Sequence, residues 1–331
     1  MEISEVIGID VSKLTVDVRV HTDQRYGQFE NSNKGFKKMC DWVFKDSSSP
    51  KGETLFVFEH TGLYSYILAV YLSRQDMLFS IVPGLEIKRS LGISRGKNDR
   101  VDATKIARYA YRLREEIKPY ELPSEELESL KHLFSLRDRL VKQRAGFLTS
   151  SKEQKRVYSI KDNPVLFDTQ EKMIKYLTKQ IDIVQKEMEG IINGNDKLKK
   201  QFELITSIKS VGAQTALFMI VFTSGFTKFK NYRKFASFSG TAPFPNSSGT
   251  SINGKTKVSH LANKKIKTLL NQCAKNAIQY NLEMKLYYEK RIGQGKNEGS
   301  TINVIRNKLL ARIFSVINRG EPYVDFLKYA S

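Results

Sequence analysis

A chain of 331 residues that is 40% apolar can bury substantial cores, and its length favours two domains, or three with a connecting helical part. Lys and Arg outnumber Asp and Glu by 55 to 35, a formal charge of +20, which calls for a polyanionic partner, with nucleic acid the first candidate and a membrane surface its rival. No apolar run approaches the roughly 20 residues of a spanning helix, Met1 to Gly8 lacks the regions of a signal peptide, and Cys40 and Cys273 have neither disulfide nor zinc spacing, so a cytoplasmic protein with no membrane partner is expected.

Along the chain, EVIGIDVSKLTVDVRV (5–20) reads as a strand turning into a paired second strand, and TLFVFEHTG (54–62) as a buried strand stopping at Gly62. GFKKMCDWVFK and YSYILAVYLSRQ carry helical spacing, while LFSIVPG is a short strand closed by Pro83 and Gly84. This first domain, 1–118, is of the α/β class. From 119 to 195 the period changes. Ile174, Leu177, Ile181, Val184, Met188 and Ile191 alternate spacings of three and four, the rhythm of a coiled coil; Leu127, Leu130, Phe134, Val141 and Leu148 follow it loosely, with a break around Pro164. Two long helices folded as a hairpin are expected, their seam packing within the chain or pairing subunits. The third region, 196–331, is mostly helical: LITSIKSVGAQTALFMIV holds two runs about a Val-Gly turn, FSGTAPFPNSSGTSINGKTK reads as a loop, and NKKIKTLLNQCAKNAIQY returns to helix.

Asp10 interrupts an apolar strand, where an unpaired carboxylate is costly. Glu59 ends another, and Asp99 and Asp102, three apart at a predicted helix start, share one face. Singly, each reads as a cap or dipole partner. Together, in a basic chain, four carboxylates can hold Mg²⁺ through oxygen, and paired metals clamp a phosphate for in-line displacement. GIDVSK, FEHTG and KNDRVDA, in that order, resemble the RuvC-like, ribonuclease-H-fold domain of the insertion-sequence one-ten family of Piv-type DEDD transposases. The resemblance implies that Asp10, Glu59, Asp99 and Asp102 ligate Mg²⁺, or Mn²⁺ in its place. Lys13, Thr61 and Gly62 also fit its motifs.

The same resemblance covers SIKSVGAQTA, as a helix-hairpin-helix-like turn, and FSGTAPFPNSSG, as the Gly-x-x-Pro and Ser-Gly stretch of the family's transposase domain. It implies that Ser248 attacks the DNA backbone to form a phosphoserine link, with Ser247 the fallback. Without the family, this serine pair in a Gly-rich loop is a turn former with no triad around it. The resemblance further implies donor and target DNA as substrates, a structured guide (bridge) RNA that supplies sequence choice, and a homo-oligomer, dimer or tetramer, with a site composite between subunits. The setting it implies is the bacterial nucleoid. This chain departs from the family pattern at Ala262 before Asn263, and at Lys267 where Arg is usual, which loses a bidentate fork.

Arg108, Arg112 and Arg114 follow the acids, and Lys255, Lys257, Lys264, Lys265 and Lys267 follow the serines; such runs are commonly solvated faces, and phosphate contact is assigned to them only as a group. GISRGK (92–97) is one residue short of a P-loop, and His21, His60, His132 and His260 form no ligand cluster. Two other functions remain open: a RuvC-type nuclease using metal-activated water, and a non-catalytic nucleic-acid scaffold. The first predicts that Ser248→Ala still cleaves, the second that Asp10→Ala leaves recombination unchanged.

Overall fold

The computed structural model describes the chain except residues 1, 46–48, 91–98, 230, 249–251, 260 and 326–331, and for 246–248, 252, 253 and 255 it describes backbone alone. GISRGK and His260 therefore lie outside the described residues. The chain divides into two compact units, Met1–Leu122 and Pro123–Ser331.

The first unit runs β1 (Glu5–Val11), β2 (Thr15–Val20), β3 (Tyr26–Glu30), α1 (Asn33–Lys45), β4 (Thr54–Glu59), α2 (Leu63–Arg74), β5 (Leu78–Val82), α3 (Gly84–Ser90) and α4 (Asp99–Arg112). Its five strands lie in the order β3-β2-β1-β4-β5. The pairs β1–β2 and β2–β3 are antiparallel, whereas β4 and β5 run parallel with β1. Because strand side chains alternate, Ile7, Ile9, Val11, Phe56 and Phe58 pack with Phe36 and Met39 of α1 and Leu68 and Leu72 of α2. Val6, Leu55 and Val57 turn to the other face, against Ile87, Ile106, Tyr109 and Ala110. Burial on both faces explains why β1 and β4 read as nearly continuous apolar runs. β3 shows no apolar pattern, since YGQFE is an edge strand all of whose residues are half-buried or exposed.

The second unit continues with α5 (Glu125–Gln154), α6 (Pro164–Asn193), α7 (Asp196–Thr206), α8 (Ala213–Phe222), α9 (Tyr232–Phe238), β6 (Pro243–Ser248), β7 (Ile252–Val258), α10 (Lys264–Tyr280), α11 (Leu282–Gly293) and α12 (Glu298–Arg319). The two 30-residue helices α5 and α6 pack along one another, with Pro164 at the first turn of α6, where its missing N–H costs nothing. Leu177, Ile181, Val184 and Met188 are buried as their spacing requires. Leu148 is 48% exposed, so the α5 stripe is uncovered toward its end. Asparagine side chains cap α7, α9, α10, α11 and α12, each accepting from a first-turn amide. α12 ends at Gly320 with φ 72°, the left-handed cap that glycine adopts without strain.

FSGTAPFPNSSGTSINGKTK is not a plain loop. Within it β6 and β7 form an antiparallel hairpin with an irregularity between Phe244 and Asn246. Its Pro and Ser content suggested loop, yet Pro243 opens the strand and Pro245 sits at the irregularity, the places where a strand tolerates a missing donor. No described helix is long and apolar enough to cross a membrane.

Candidate active site

Asp10 is the penultimate residue of β1 and Glu59 the last of β4. The strands are parallel neighbours paired through Ile9 and Phe58. Asp10 and Glu59 each lie one residue further on, and by alternation both turn to the α4 face, as Gly8 and Val57 do. α4 can approach because Gly8 has no side chain: a Cβ there would lie 2.3 Å from the Ala107 nitrogen and 2.5 Å from the Ala103 oxygen. Asp102 immediately precedes Ala103, and Asp99 stands about one helical turn before it. Asp10 lies two residues beyond Gly8, about 7 Å along the strand, and Asp99 four residues before Ala103, about 6 Å along the helix. The sheet edge and the helix start thus set Glu59, Asp99 and Asp102 within electrostatic reach of Asp10.

Electrostatics records that convergence. The Asp10 carboxyl is pushed up to about 6, first by burial and then by the like charges of Asp99, Asp102, Glu59 and Asp17. Asp17 was not singled out from the sequence, since in TVDVRV it reads as the outward position of an alternating strand. It is Asp10's cross-strand partner and is 1% exposed. Tyr26 donates its hydroxyl hydrogen bond to Asp17. The Gln28 amide donates at 3.1 and 3.3 Å. That bond to Asp17, ahead of burial, pushes the Tyr26 phenol up to about 12. The Arg100 guanidinium lies 4.9 Å from the Tyr26 ring centre. Lys105 pairs with Asp102 at 2.8 Å, one turn along the same helix.

Glu59 is placed by a second glycine. A Cβ on Gly84 would lie 2.4 Å from Glu59 Oε1 and 2.7 Å from Oε2, so the carboxylate occupies the space that the missing side chain leaves. Among the described residues no three His, Cys, Asp or Glu side chains already stand in metal-holding geometry. The donors are nonetheless hard oxygens carrying like charges, with Lys105 paired to Asp102, a set that suits a divalent cation of the Mg²⁺ class. Lys13 is exposed. Gly62, at φ 69°, turns the chain into α2, and the Thr61 amide donates to Ser65 Oγ at 3.1 Å. His60 Nδ1 accepts from the Gly62 amide at 3.3 Å. Arg108 and Arg112 are exposed, and Arg114 donates to the Tyr111 carbonyl at 2.7 Å.

In the second unit, the backbone of Ser248 pairs with Ile252 and that of Ser247 with Asn253, which puts both serines at the tip of the hairpin; their side chains lie outside the described residues. The base of the hairpin is fastened. Asn303 and Asn307 of α12 each donate to the Thr241 carbonyl at 2.9 Å, and the Thr241 hydroxyl donates to Asn307 Oδ1 at 3.2 Å. Gly240, at φ 65°, leaves room for Ala262: a Cβ at 240 would lie 2.4 Å from the Ala262 methyl.

Comparison with known proteins agrees with this layout. A family model described as "Transposase" matches residues 7–154, and one described as "Transposase IS116/IS110/IS902 family" matches residues 202–289. The chain is 26% identical over 325 residues to the pilin gene-inverting protein of Moraxella bovis, covering 96% of this chain and 97% of that protein. The Moraxella lacunata pilin gene-inverting protein matches to the same extent, 26% over 325 residues. An insertion element IS110 protein of 43.6 kDa from Streptomyces coelicolor is 26% identical over 120 residues, 36% of this chain and 29% of that protein. The first model covers the α/β unit and runs on through α5, the second extends from α7 into α11, and with the IS110 name recurring in the models and the relatives the chain belongs to the IS110 family of transposases.

Proposed function

We propose that this transposase is a serine-type, metal-assisted DNA recombinase directed by a structured guide RNA, with a RuvC-like N-terminal domain (1–118), a helical linker and dimerisation region (119–195) and a C-terminal transposase domain (196–331). The observation that carries the reading is the convergence of Asp10, Glu59, Asp99 and Asp102 on the α4 face of the sheet edge. Acids driven against one another at the cost of ionising Asp10 make sense as ligands of a cation. Bound there, Mg²⁺ would be held by these four carboxylates and would supply neutralisation of charge on the non-bridging phosphate oxygens. Lys105, paired to Asp102, orients that ligand, and Tyr26 and Gln28 hold Asp17 behind Asp10.

In this reading Ser248 Oγ attacks a DNA phosphorus. A serine–phosphate bond forms, one bridging P–O bond breaks, and the serine proton is lost while the departing strand's hydroxyl gains one. Attack by a second strand's hydroxyl reverses the sequence, frees the serine and completes the exchange. The full-length similarity to pilin gene-inverting proteins supports recombination, rather than simple hydrolysis, as the outcome.

The test compares Ser248→Ala, Ser247→Ala and Asp10→Ala in strand-cleavage and DNA-binding assays with Mg²⁺. Ser248→Ala should bind DNA, lose cleavage and lose the covalent adduct seen on denaturing gels, while Ser247→Ala keeps all three. Cleavage by Ser248→Ala would replace the serine mechanism with metal-activated water. Sequencing nucleic acid that copurifies with the protein tests the guide: a single structured RNA is expected, and its absence would remove guidance from the reading.

A further inference from the structure

Beside the base of the serine hairpin lies a cavity of about 510 Å³ whose walls include Lys257 of β7, Lys267 of α10, Arg306 and Asn303 of α12, and Gly299 and Ser300 from the first turn of α12. Among the described residues no carboxylate lines it. Some cations of this unit are neutralised, as Lys265 is by Asp138 and Arg312 by Glu283. Among the described residues Lys257 and Lys267 have no ion pair. Arg306 is steered by neutral amides, donating from Nη2 to Asn271 Oδ1 at 2.6 Å and from Nη1 to Asn303 Oδ1 at 3.3 Å. Its Nε is buried with no hydrogen-bond partner, and burial pulls its guanidinium below the ordinary range. Lys257 is exposed and Lys267 half-buried, but Arg306 is poorly solvated and oriented without being neutralised, a cost that an anion entering the concavity would offset. The opening turn of the 22-residue α12 adds a favourable dipole end to the same wall.

We propose that this cavity seats a backbone phosphate of the DNA strand that the hairpin serine attacks. The proposal rests on the serine reading for the identity of the strand, and on the cavity alone for the anion. Lys257 pairs across the hairpin with Phe244, and Ser248 lies four residues further along β6, about 13 Å away at strand rise. That separation is under half of the roughly 34 Å turn of a duplex. One strand can therefore lie in the cavity and at the hairpin tip together. Lys267 meets the phosphate as a point charge, and Arg306 provides the planar fork that a lysine lacks.

The experiment measures binding of a labelled duplex DNA of arbitrary sequence by fluorescence anisotropy across a salt series, for wild type, Lys257→Gln/Lys267→Gln and Lys257→Arg/Lys267→Arg. The glutamine variant should lower the slope of log affinity against log salt by about 1 and weaken binding about five-fold or more at ~0.1 M salt, with an unchanged melting curve. The arginine variant should keep the wild-type slope. Inorganic phosphate, compared with chloride at equal ionic strength, should raise the melting temperature of wild type but not of the glutamine variant. Arg306→Gln, checked for folding by circular dichroism, should give the same slope change. An unchanged slope, stabilisation by phosphate that survives in the glutamine variant, or a loss confined to a labelled structured RNA would overturn the proposal. Binding is read without cleavage, so failure here is separable from failure of the serine mechanism, which Ser248→Ala cleavage reports.

Discussion

Asp10→Asn should make the metal-free protein more stable while disabling it. The Asp10 carboxyl rises from 3.8 to about 6 on folding, so the folded chain holds its proton more tightly than the unfolded chain does. Between those values the native state binds more protons, and stability falls as pH rises through the window from about 4 to about 6, the cost remaining above it. Two pKa units correspond to about 3 kcal/mol. Solvent reaching a half-buried carboxylate reduces this to about 2 kcal/mol, or a melting shift of about 5–10 °C for a unit of this size. Thermal melting with chelator at pH 7.5 should show Asp10→Asn above wild type, and the gap should close near pH 4. Magnesium should raise the melting temperature of wild type and not of the variant. If Asp10→Asn melts at or below wild type at pH 7.5, the penalty that burial and the neighbouring acids place on the Asp10 carboxylate does not exist.

Other substitutions separate placement from stability. Gly84→Ala puts a methyl 2.4 Å from Glu59 Oε1, a displacement the flexible acid can make cheaply; melting should hold within about 1 kcal/mol while cleavage falls at least about tenfold, and retained cleavage would mean that Glu59's position is not critical. Gly8→Ala meets the α4 backbone instead, at 2.3 Å from the Ala107 nitrogen, and should cost about 3 kcal/mol or more in denaturant melts. Tyr26→Phe removes a donor from buried Asp17 and should cost about 1–2 kcal/mol, with a weaker magnesium-induced melting shift; an unaltered shift would confine Asp17 to a structural role. Mixing Ser248→Ala with Asp10→Ala chains should restore partial cleavage if the site is composite between subunits, whereas no restoration requires both groups from one chain.

What the sequence displayed was set by local chemistry. β1, β2, β4 and β5 were legible because their apolar alternation or continuity is a property of each strand alone, and α4 because Asp99 and Asp102 open it where a dipole favours acids. The edge strand β3 was not, since YGQFE buries too little to pattern. The hairpin at 243–258 was read as loop because its pairing is made by backbone, to which Pro, Ser and Gly give no periodic signal. Asp17 escaped for a related reason: its importance depends on the register that sets it opposite Asp10, and register is a relation between strands.

The same distinction bears on the acids themselves. Their identity was visible in the chain, but the two contacts that bring them together are made by glycines, residues with no side chain to announce a role. Gly8 lets α4 lie against β1, and Gly84 leaves a space for the Glu59 carboxylate. Each is defined by something too close to admit a methyl, a fact that exists only after the strand, the helix and their crossing are in place. A basic chain with four suitable acids at suitable spacings could fold so that they never met. Here two absences of side chain let them approach, and the Asp10 carboxyl, raised first by burial and then by the charges of Asp99, Asp102 and Glu59, registers that approach.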